Sequence, residues 1–223
     1  MITPLTDIEA RVLGVLVEKE TTTPDAYPVT LNYLTRACNQ RNNRHPVTDY
    51  DESTVEDALT SLRLQKLVVM GSYAGARQPK YEHSISQVIT LTREATAVLA
   101  ELLIRGPQTP GELRARADRI YPVGSREDVE ATLDHLAGLE HPLVTKLPRQ
   151  HGHKESRYIH LLCGPVDMDA YASASEDAAS SSHTPAGPTV ANRLYELETT
   201  VTDLKAQIET MRAEIDAFRK QFE

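Results

Sequence analysis

Apolar residues in the first part of the chain recur with the period of an α-helix. The first apolar stripe runs from Leu5 to Leu16, and Thr6 has the capping-box spacing to Glu9 that marks the start of a helix. Two further helices are predicted, one over residues 30–38 and one that begins with Asp51 as its N-cap. The chain therefore opens with three predicted helices.

After the third helix the period changes to that of extended chain. Residues 67–70 and 79–85 predict two strands joined by a glycine-containing loop. The same order returns later, with helices near residues 92–104, 110–120 and 125–137 and strands near residues 143–147 and 156–162. Helix, helix, helix, strand, loop, strand is the order of a winged helix, a relative of the helix-turn-helix.

Short phrases of the sequence support a true repeat. Leu5-Thr6 and Thr23-Pro24 return as Leu91-Thr92 and Thr109-Pro110 at one constant offset. An internal repeat of this kind indicates two copies of one fold. The predicted fold class is therefore mainly α with small β-hairpins, an α+β protein that contains two tandem winged-helix domains.

The end of the chain has two further compositions. Residues 164–189 are rich in Ala, Ser, Pro, Gly and Asp and predict a flexible linker, because they offer few large apolar side chains to bury. Residues 190–223 alternate apolar positions by four and three, which is the heptad pattern of a coiled coil. The predicted division is into winged-helix domains at residues 1–88 and 89–163, the linker at 164–189 and a coiled-coil helix at 190–223.

The heptad pattern predicts self-association. Its core positions include Leu194, Leu197, Val201, Leu204, Ile208, Met211, Ile215 and Phe218. The β-branched residues at alternate core positions favour a parallel homodimer, and a trimer or docking of this helix onto the chain's own domains are the alternatives.

Charge is unevenly distributed along the chain. A net charge of -8 opposes a nucleic-acid partner, because such binding depends on cations that neutralise phosphates. Lys and Arg stand against Asp and Glu as 9 to 11 in residues 1–88, 10 to 10 in residues 89–163 and 5 to 11 in residues 164–223. These segments carry -2, 0 and -6, so the acidity belongs mainly to the tail.

The sequence carries no recognisable catalytic motif. It has no nucleophile elbow, phosphate-binding glycine loop or zinc-protease helix, so we expect a protein that is not an enzyme and needs no cofactor or metal.

Cys38 and Cys163 are far apart and are interpreted as small buried apolar residues. His151 and His153 are interpreted as solvated loop residues because cations surround them. No signal peptide or membrane span is predicted, which favours the cytoplasm.

Several longer phrases are specific enough to compare with known proteins. They are Glu18-Lys19-Glu20 with Thr22-Thr23-Pro24, Ala37-Cys38-Asn39-Gln40, the run from Arg105 to Arg114, and Leu147-Pro148-Arg149-Gln150. These phrases resemble the YceH family, bacterial proteins described as tandem winged-helix proteins of unassigned function, over residues 5–163. The resemblance implies this architecture and a bacterial cytoplasmic setting, and it implies no reaction.

Cations cluster in the predicted hairpins, short helices and first long loop. The candidate DNA-contacting residues are Arg41, Arg44, Arg77, Lys80, Arg114, Arg116, Lys146, Arg149, Lys154 and Arg157. In Lys80-Tyr81 and Arg157-Tyr158, alternation along a strand lets the cation face solvent while the tyrosine packs inward. The first hypothesis is a DNA-associated, regulatory protein that contacts phosphates through its wings with weak sequence readout.

The third helices favour a different class of partner. Both begin with carboxylates, which oppose insertion into a DNA groove, so the second hypothesis is a protein-interaction adaptor without nucleic-acid binding.

Residues 39–47 are too polar to be core and predict either a recognition loop or a loop held by its own asparagine side chains. His83 and His160 occupy equivalent strand positions and are predicted to be hydrogen-bonded within the sheet.

Overall fold

Two successive groups of three helices and a β-hairpin are seen in the computed structural model, which describes residues 3–71, 78–150, 154–168 and 171. The first group is α1 (Asp7–Thr22), a 3₁₀ turn (Pro24–Ala26), α2 (Leu31–Cys38), α3 (Glu52–Leu64), β1 (Val68–Gly71) and β2 (Lys80–His83). A short helix α4 (Ile85–Val88) leads to α5 (Arg93–Arg105), α6 (Pro110–Ala117), α7 (Arg126–Ala137), β3 (Val144–Lys146) and β4 (Tyr158–His160). The predicted α+β class is confirmed.

Local chemistry at the helix starts explains where these helices begin. Thr6 and Glu9 form the predicted capping box at the start of α1. Asp51 caps α3 and accepts a hydrogen bond from the Thr54 backbone N–H at 2.7 Å. Several boundaries differ from their predictions. The second strand ends at His83, and Ile85 begins α4 instead of extending the strand. Helix α6 ends at Ala117, and β3 and β4 are shorter than predicted.

The two hairpins have the same register. Both strand pairs are antiparallel, with Val68 opposite His83 in the first and Val144 opposite His160 in the second. The predicted equivalence of the two histidines is therefore confirmed. Tyr81 and Tyr158 are buried, as the alternation predicted.

Each half also has a third extended segment beside its hairpin. Val29, just before α2, forms an antiparallel bridge with Tyr81, and Gln108, just before α6, forms the matching bridge with Tyr158. Backbone hydrogen bonds of 2.7 Å from Tyr81 to Val29 and 2.8 Å from Tyr158 to Gln108 hold these bridges. The segment before the second helix is thus tied to the hairpin in the same way twice.

The two halves share one hydrophobic core. Helix α1 packs along α5, and the buried apolar residues of both halves form a single cluster within the unit of residues 1–176. At Gly14 an added Cβ would lie 2.8 Å from Leu103 Cβ and 3.0 Å from Ile104 Cγ1, so the absent side chain permits the close approach. The halves therefore stabilise each other.

Several predictions fall outside the described residues. The heptad positions of residues 190–223, most of the linker at residues 164–189, Arg77 and the pair His151 and His153 are among them. Within the described ranges, no helix is long and apolar enough to cross a membrane. The coiled coil and the boundaries of the winged-helix domains stay predictions.

Candidate nucleic-acid interface

The second hairpin and α7 enclose a polar cleft of about 380 Å³, here called the hairpin cleft. Lys146, Arg149 and Lys154 line it and are exposed. Lys146 stands opposite Tyr158 in the strand pair, and its Nζ lies 5.8 Å from the centroid of the Tyr158 ring. Because Tyr158 is buried, it fixes the stem of Lys146 at the cleft while the ammonium stays in solvent.

A fourth cation of the hairpin cleft is already neutralised. Arg126 Nε lies 2.9 Å from Glu130 Oε1, and Arg126 Nη1 lies 3.0 Å from Glu155 Oε1. The hydrogen bond to Glu130 and the charge of Glu155 raise the pKa of Arg126. Its charge is therefore committed to its own chain.

The three exposed cations differ from Arg126 in having no carboxylate partner in the part of the chain that the structure describes. Among the residues that the structure describes, no Asp or Glu oxygen lies within 4.0 Å of the charged nitrogens of Lys146, Arg149 or Lys154. They line the hairpin side of the cleft together with Glu155, which is paired with Arg126, while Glu130 and Asp134 of α7 line the other side. The cleft can therefore accept an anion at the hairpin and repels one at α7.

The acidic start of α7 has a structural cause. Ser125 and Asp128 form a capping box, in which the Ser125 backbone N–H donates to Asp128 Oδ2 at 2.8 Å. This hydrogen bond lowers the pKa of Asp128 and keeps it ionised. A carboxylate here stabilises the helix but turns a negative charge toward any polyanion that approaches the N-terminus of α7.

Arg116 of α6 and Arg157, just before β4, are turned toward their own chain. Arg116 Nη1 donates to Gln108 Oε1 at 2.7 Å and pairs with Glu112 at 3.4 Å. Arg157 is half-buried and donates to the Pro107 carbonyl oxygen at 3.3 Å. Arg114 is exposed on α6, and neither it, Arg116 nor Arg157 lines the hairpin cleft.

Arg44 corrects the sequence-based prediction most clearly. Its side chain is 0% exposed, and its Nη2 lies 2.6 Å from Glu18 Oε2. Its Nε also donates to the Ala37 carbonyl oxygen at 2.9 Å. A guanidinium held in this way is not available to a phosphate, so the prediction of Arg44 as a DNA contact is wrong. The reason is that buried Glu18 requires a cation beside it.

The remaining predicted contacts belong to the first half of the chain. Arg41 is exposed in the loop after α2, and Lys80 is half-buried on β2. Neither lines the hairpin cleft. The structure thus brings together three of the ten predicted residues and leaves Arg41 and Lys80 apart from them.

Sequence reasoning missed a buried ionic network between the two halves. Arg119 contacts both Glu18 of α1 and Glu101 of α5, and Arg105 Nε lies 3.1 Å from Glu101 Oε2. Burial would raise the pKa of Glu18, but the charges and hydrogen bonds of Arg44 and Arg119 outweigh it and lower that pKa. Glu101 carried a signal, since it is the one charged residue in the apolar run 95–104.

Burial disfavours the ionised form of both thiols. Burial raises the pKa of Cys38 to about 12 and that of Cys163 to about 11. Cys38 is buried, as predicted, whereas Cys163 is only half-buried. Among the described residues no group of three His, Cys, Asp or Glu side chains is placed to hold a metal ion.

These features define a class: α+β proteins in which two helix-and-hairpin groups share one core and a basic cleft lies at the second hairpin. The chain belongs to the family described as Protein of unknown function, DUF480, whose model matches residues 5–153. This confirms the predicted membership of a bacterial family without an assigned activity.

Curated relatives cover from about three quarters to nearly all of the chain. A UPF0502 protein of Pelobacter propionicus is 44% identical over 219 residues, which are 98% of each chain. A UPF0502 protein of Vibrio parahaemolyticus is 42% identical over 96% of this chain and 97% of its own. One of Geobacter sulfurreducens is 49% identical over 74% of this chain and 75% of its own. None of these three carries the name YceH, which stays a prediction.

Proposed function

We propose that this protein is a tandem winged-helix protein that binds the nucleic-acid backbone through the hairpin cleft. The observation that carries the proposal is the convergence of Lys146, Arg149 and Lys154, without carboxylate partners among the described residues, on one exposed cleft. A phosphate group is bound most strongly by cations whose charge is not already neutralised by a carboxylate of the protein.

The repeated sheet geometry supports the winged-helix part of this proposal. In each half a short extended segment before the second helix bridges to the last strand of the hairpin, at Val29 and at Gln108. A three-helix group with this extra bridge and a hairpin after the third helix has the element order of a winged helix. The same arrangement occurring twice favours a tandem pair.

The charges on α7 favour backbone contact over base readout. Glu127 and Asp128 are exposed at its start, and Glu130 and Asp134 follow on the side of the cleft. Inserting a third helix with these negative charges into the major groove would bring them close to the phosphates and contribute little binding energy. The cations of the hairpin can contact the phosphates without entering the groove. We therefore propose binding with weak sequence preference, as suits an accessory or regulatory role.

Neutralising the three hairpin cations should weaken nucleic-acid binding. In a labelled-duplex titration from about 50 mM to about 200 mM salt, the wild type should lose affinity steeply. The triple variant Lys146→Gln, Arg149→Gln, Lys154→Gln should bind about 10- to 100-fold more weakly at low salt, with a salt slope smaller by about 3.

A control variant with the same change of charge separates local contact from a general effect. Arg36, Arg63 and Lys66 are exposed cations of the first half, and their replacement by glutamine should leave binding nearly unchanged. The proposal fails if the wild type shows no binding even at low salt, or if both triple variants lose affinity equally.

A second function, that of a protein-interaction adaptor, is favoured by an exposed apolar patch on the first half. Leu64 is 82% exposed at the end of α3, and Val69 and Met70 are each 40% exposed on β1. Within the described residues β1 pairs only with β2, so its outer edge is open to an added strand. Arg63 and Lys66 border the patch, which fits an extended partner segment with apolar side chains and flanking carboxylates.

Charge placed on the patch should weaken such an interaction. A pull-down from nuclease-treated bacterial lysate should recover a partner with the wild type and about tenfold less of it with Leu64→Glu. Val47 is also exposed, at 56%, and lies in the loop before α3, so Val47→Glu should recover as much as the wild type. Equal recovery by all three proteins would exclude this patch as the interface.

A further inference from the structure

A second cleft, of about 570 Å³, lies where the end of α1, the end of β2 and the start of α5 meet. It does not share lining residues with the hairpin cleft. Its volume lies in the range of sites that bind small molecules. We call it the inter-repeat cleft, because Val17 and Glu20 of α1 line it together with Arg93 of α5.

The inner part of the inter-repeat cleft is apolar. Val17, Ile85 and Ile120 line it and are almost fully buried, and Leu91 beside them is half-buried. Such a surface favours the aliphatic or aromatic part of a ligand, because each apolar group that it covers is removed from water.

Two opposite charges stand at the mouth of the cleft. Glu20 is 54% exposed, and its Oε2 lies 3.0 Å from His83 Nε2. The hydrogen bond from His83, aided by the charge of Arg93, lowers the pKa of Glu20 and keeps it ionised. The Arg93 guanidinium lies 5.9 Å from the centroid of the Tyr121 ring, which holds it over the same cleft.

His83 contacts the Glu20 carboxylate through one of its two ring nitrogens. When His83 Nε2–H donates to Glu20, its Nδ1 carries a lone pair and can only accept. This Nδ1 is buried and has no hydrogen-bond partner in the described part of the chain. Because Nδ1 is shielded from solvent it does not face the open cleft, and His83 acts there through Nε2, which orients the Glu20 carboxylate.

We propose that the inter-repeat cleft binds a small zwitterion with an apolar body, the chemical class of the aliphatic and aromatic α-amino acids. Its ammonium binds at Glu20 beside His83, its carboxylate binds Arg93, and its side chain covers the apolar lining. A ligand with only a carboxylate meets the repulsion of Glu20, and one with only an amine meets that of Arg93. A zwitterion provides a cation for Glu20 and an anion for Arg93.

The first test compares the probe with its two truncated forms. L-leucine and L-phenylalanine are titrated into the full-length protein by calorimetry, beside 4-methylpentanoate, which lacks the amine of leucine, and 3-methylbutylamine, which lacks its carboxylate. At least one amino acid should bind, and the truncated forms of leucine should bind about tenfold more weakly than leucine or not at all. No binding of either amino acid up to about 10 mM would overturn the proposal, as would equal binding of the truncated forms.

The second test locates the site. Glu20→Gln and Arg93→Gln change exposed side chains and should leave the fold intact by circular dichroism while weakening amino-acid binding about tenfold. Arg114→Gln, an exposed arginine on α6 outside the cleft, is the matched control and should bind as the wild type does. Binding that none of the three variants changes would place the ligand elsewhere and overturn the assignment.

Discussion

Replacing Glu18 with alanine is expected to lower the free energy of unfolding by about 3–5 kcal/mol, measured by urea or thermal unfolding. Glu18 is 2% exposed and contacts Arg44 and Arg119. Without this carboxylate, the fully buried guanidinium of Arg44 keeps only neutral acceptors such as the Ala37 carbonyl and Gln40 Oε1. A charge left in this environment is costly because neither water nor a counter-ion compensates it.

An exposed ion pair provides the control for this variant. Glu130 pairs with Arg126 at 2.9 Å, but both side chains are more than 40% exposed. Glu130→Ala should therefore cost less than about 1 kcal/mol. In a double-mutant cycle, Glu18→Ala and Arg44→Ala should couple by more than about 1 kcal/mol. Additive effects, or equal losses for Glu18→Ala and Glu130→Ala, would contradict the buried network.

Local pattern was sufficient for those parts of the fold that depend on neighbouring residues. The capping box of Thr6 and Glu9 and the cap at Asp51 are set within one helical turn, so spacing alone predicted them. The inward tyrosines Tyr81 and Tyr158 follow from the alternation of a strand. Repetition then predicted that both halves contain the same order of elements.

Burial of charge could not be predicted in this way. Glu18 and Arg119 are 101 positions apart and meet only because α1 packs along α5. The loop at residues 39–47 looked entirely solvated, yet Arg44 enters the core to reach Glu18. Its polarity has a second cause, since Asn39 Oδ1 accepts from the Tyr50 N–H at 2.9 Å and its Nδ2 donates to the Tyr50 carbonyl at 2.7 Å.

The ion pairs of the candidate site could not be predicted from the sequence either. Spacing placed Arg116 and Lys146 in one set of candidate phosphate contacts, but it could not show which cations are already paired. Arg116 is held by Gln108 and Glu112, whereas Lys146 stands at the cleft over Tyr158. Partners decide whether a cation can bind a phosphate, and those partners are set by tertiary structure.

Acidification from about pH 7 to about pH 4.5 is expected to remove roughly 2 kcal/mol of stability through His160 alone. His160 is 9% exposed on β4, and its Nδ1 has no hydrogen-bond partner among the described residues, contrary to the prediction that the sheet would satisfy it. Burial lowers the pKa of His160 from 6.5 to about 4, and the charge of Asp7 opposes this only in part. Between these two values the unfolded chain binds a proton that the folded protein does not, so stability falls as the pH falls.

The contribution of His160 can be separated from that of the carboxylates by substitution. His160→Phe keeps an aromatic ring at the buried position and cannot take up a proton, so its free energy of unfolding should decline about 2 kcal/mol less than that of the wild type over the same pH range. His135 is exposed on α7, and His135→Gln should retain the wild-type dependence. If His160→Phe and the wild type lose stability in parallel, His160 accepts its proton in the folded state and is not held neutral by burial.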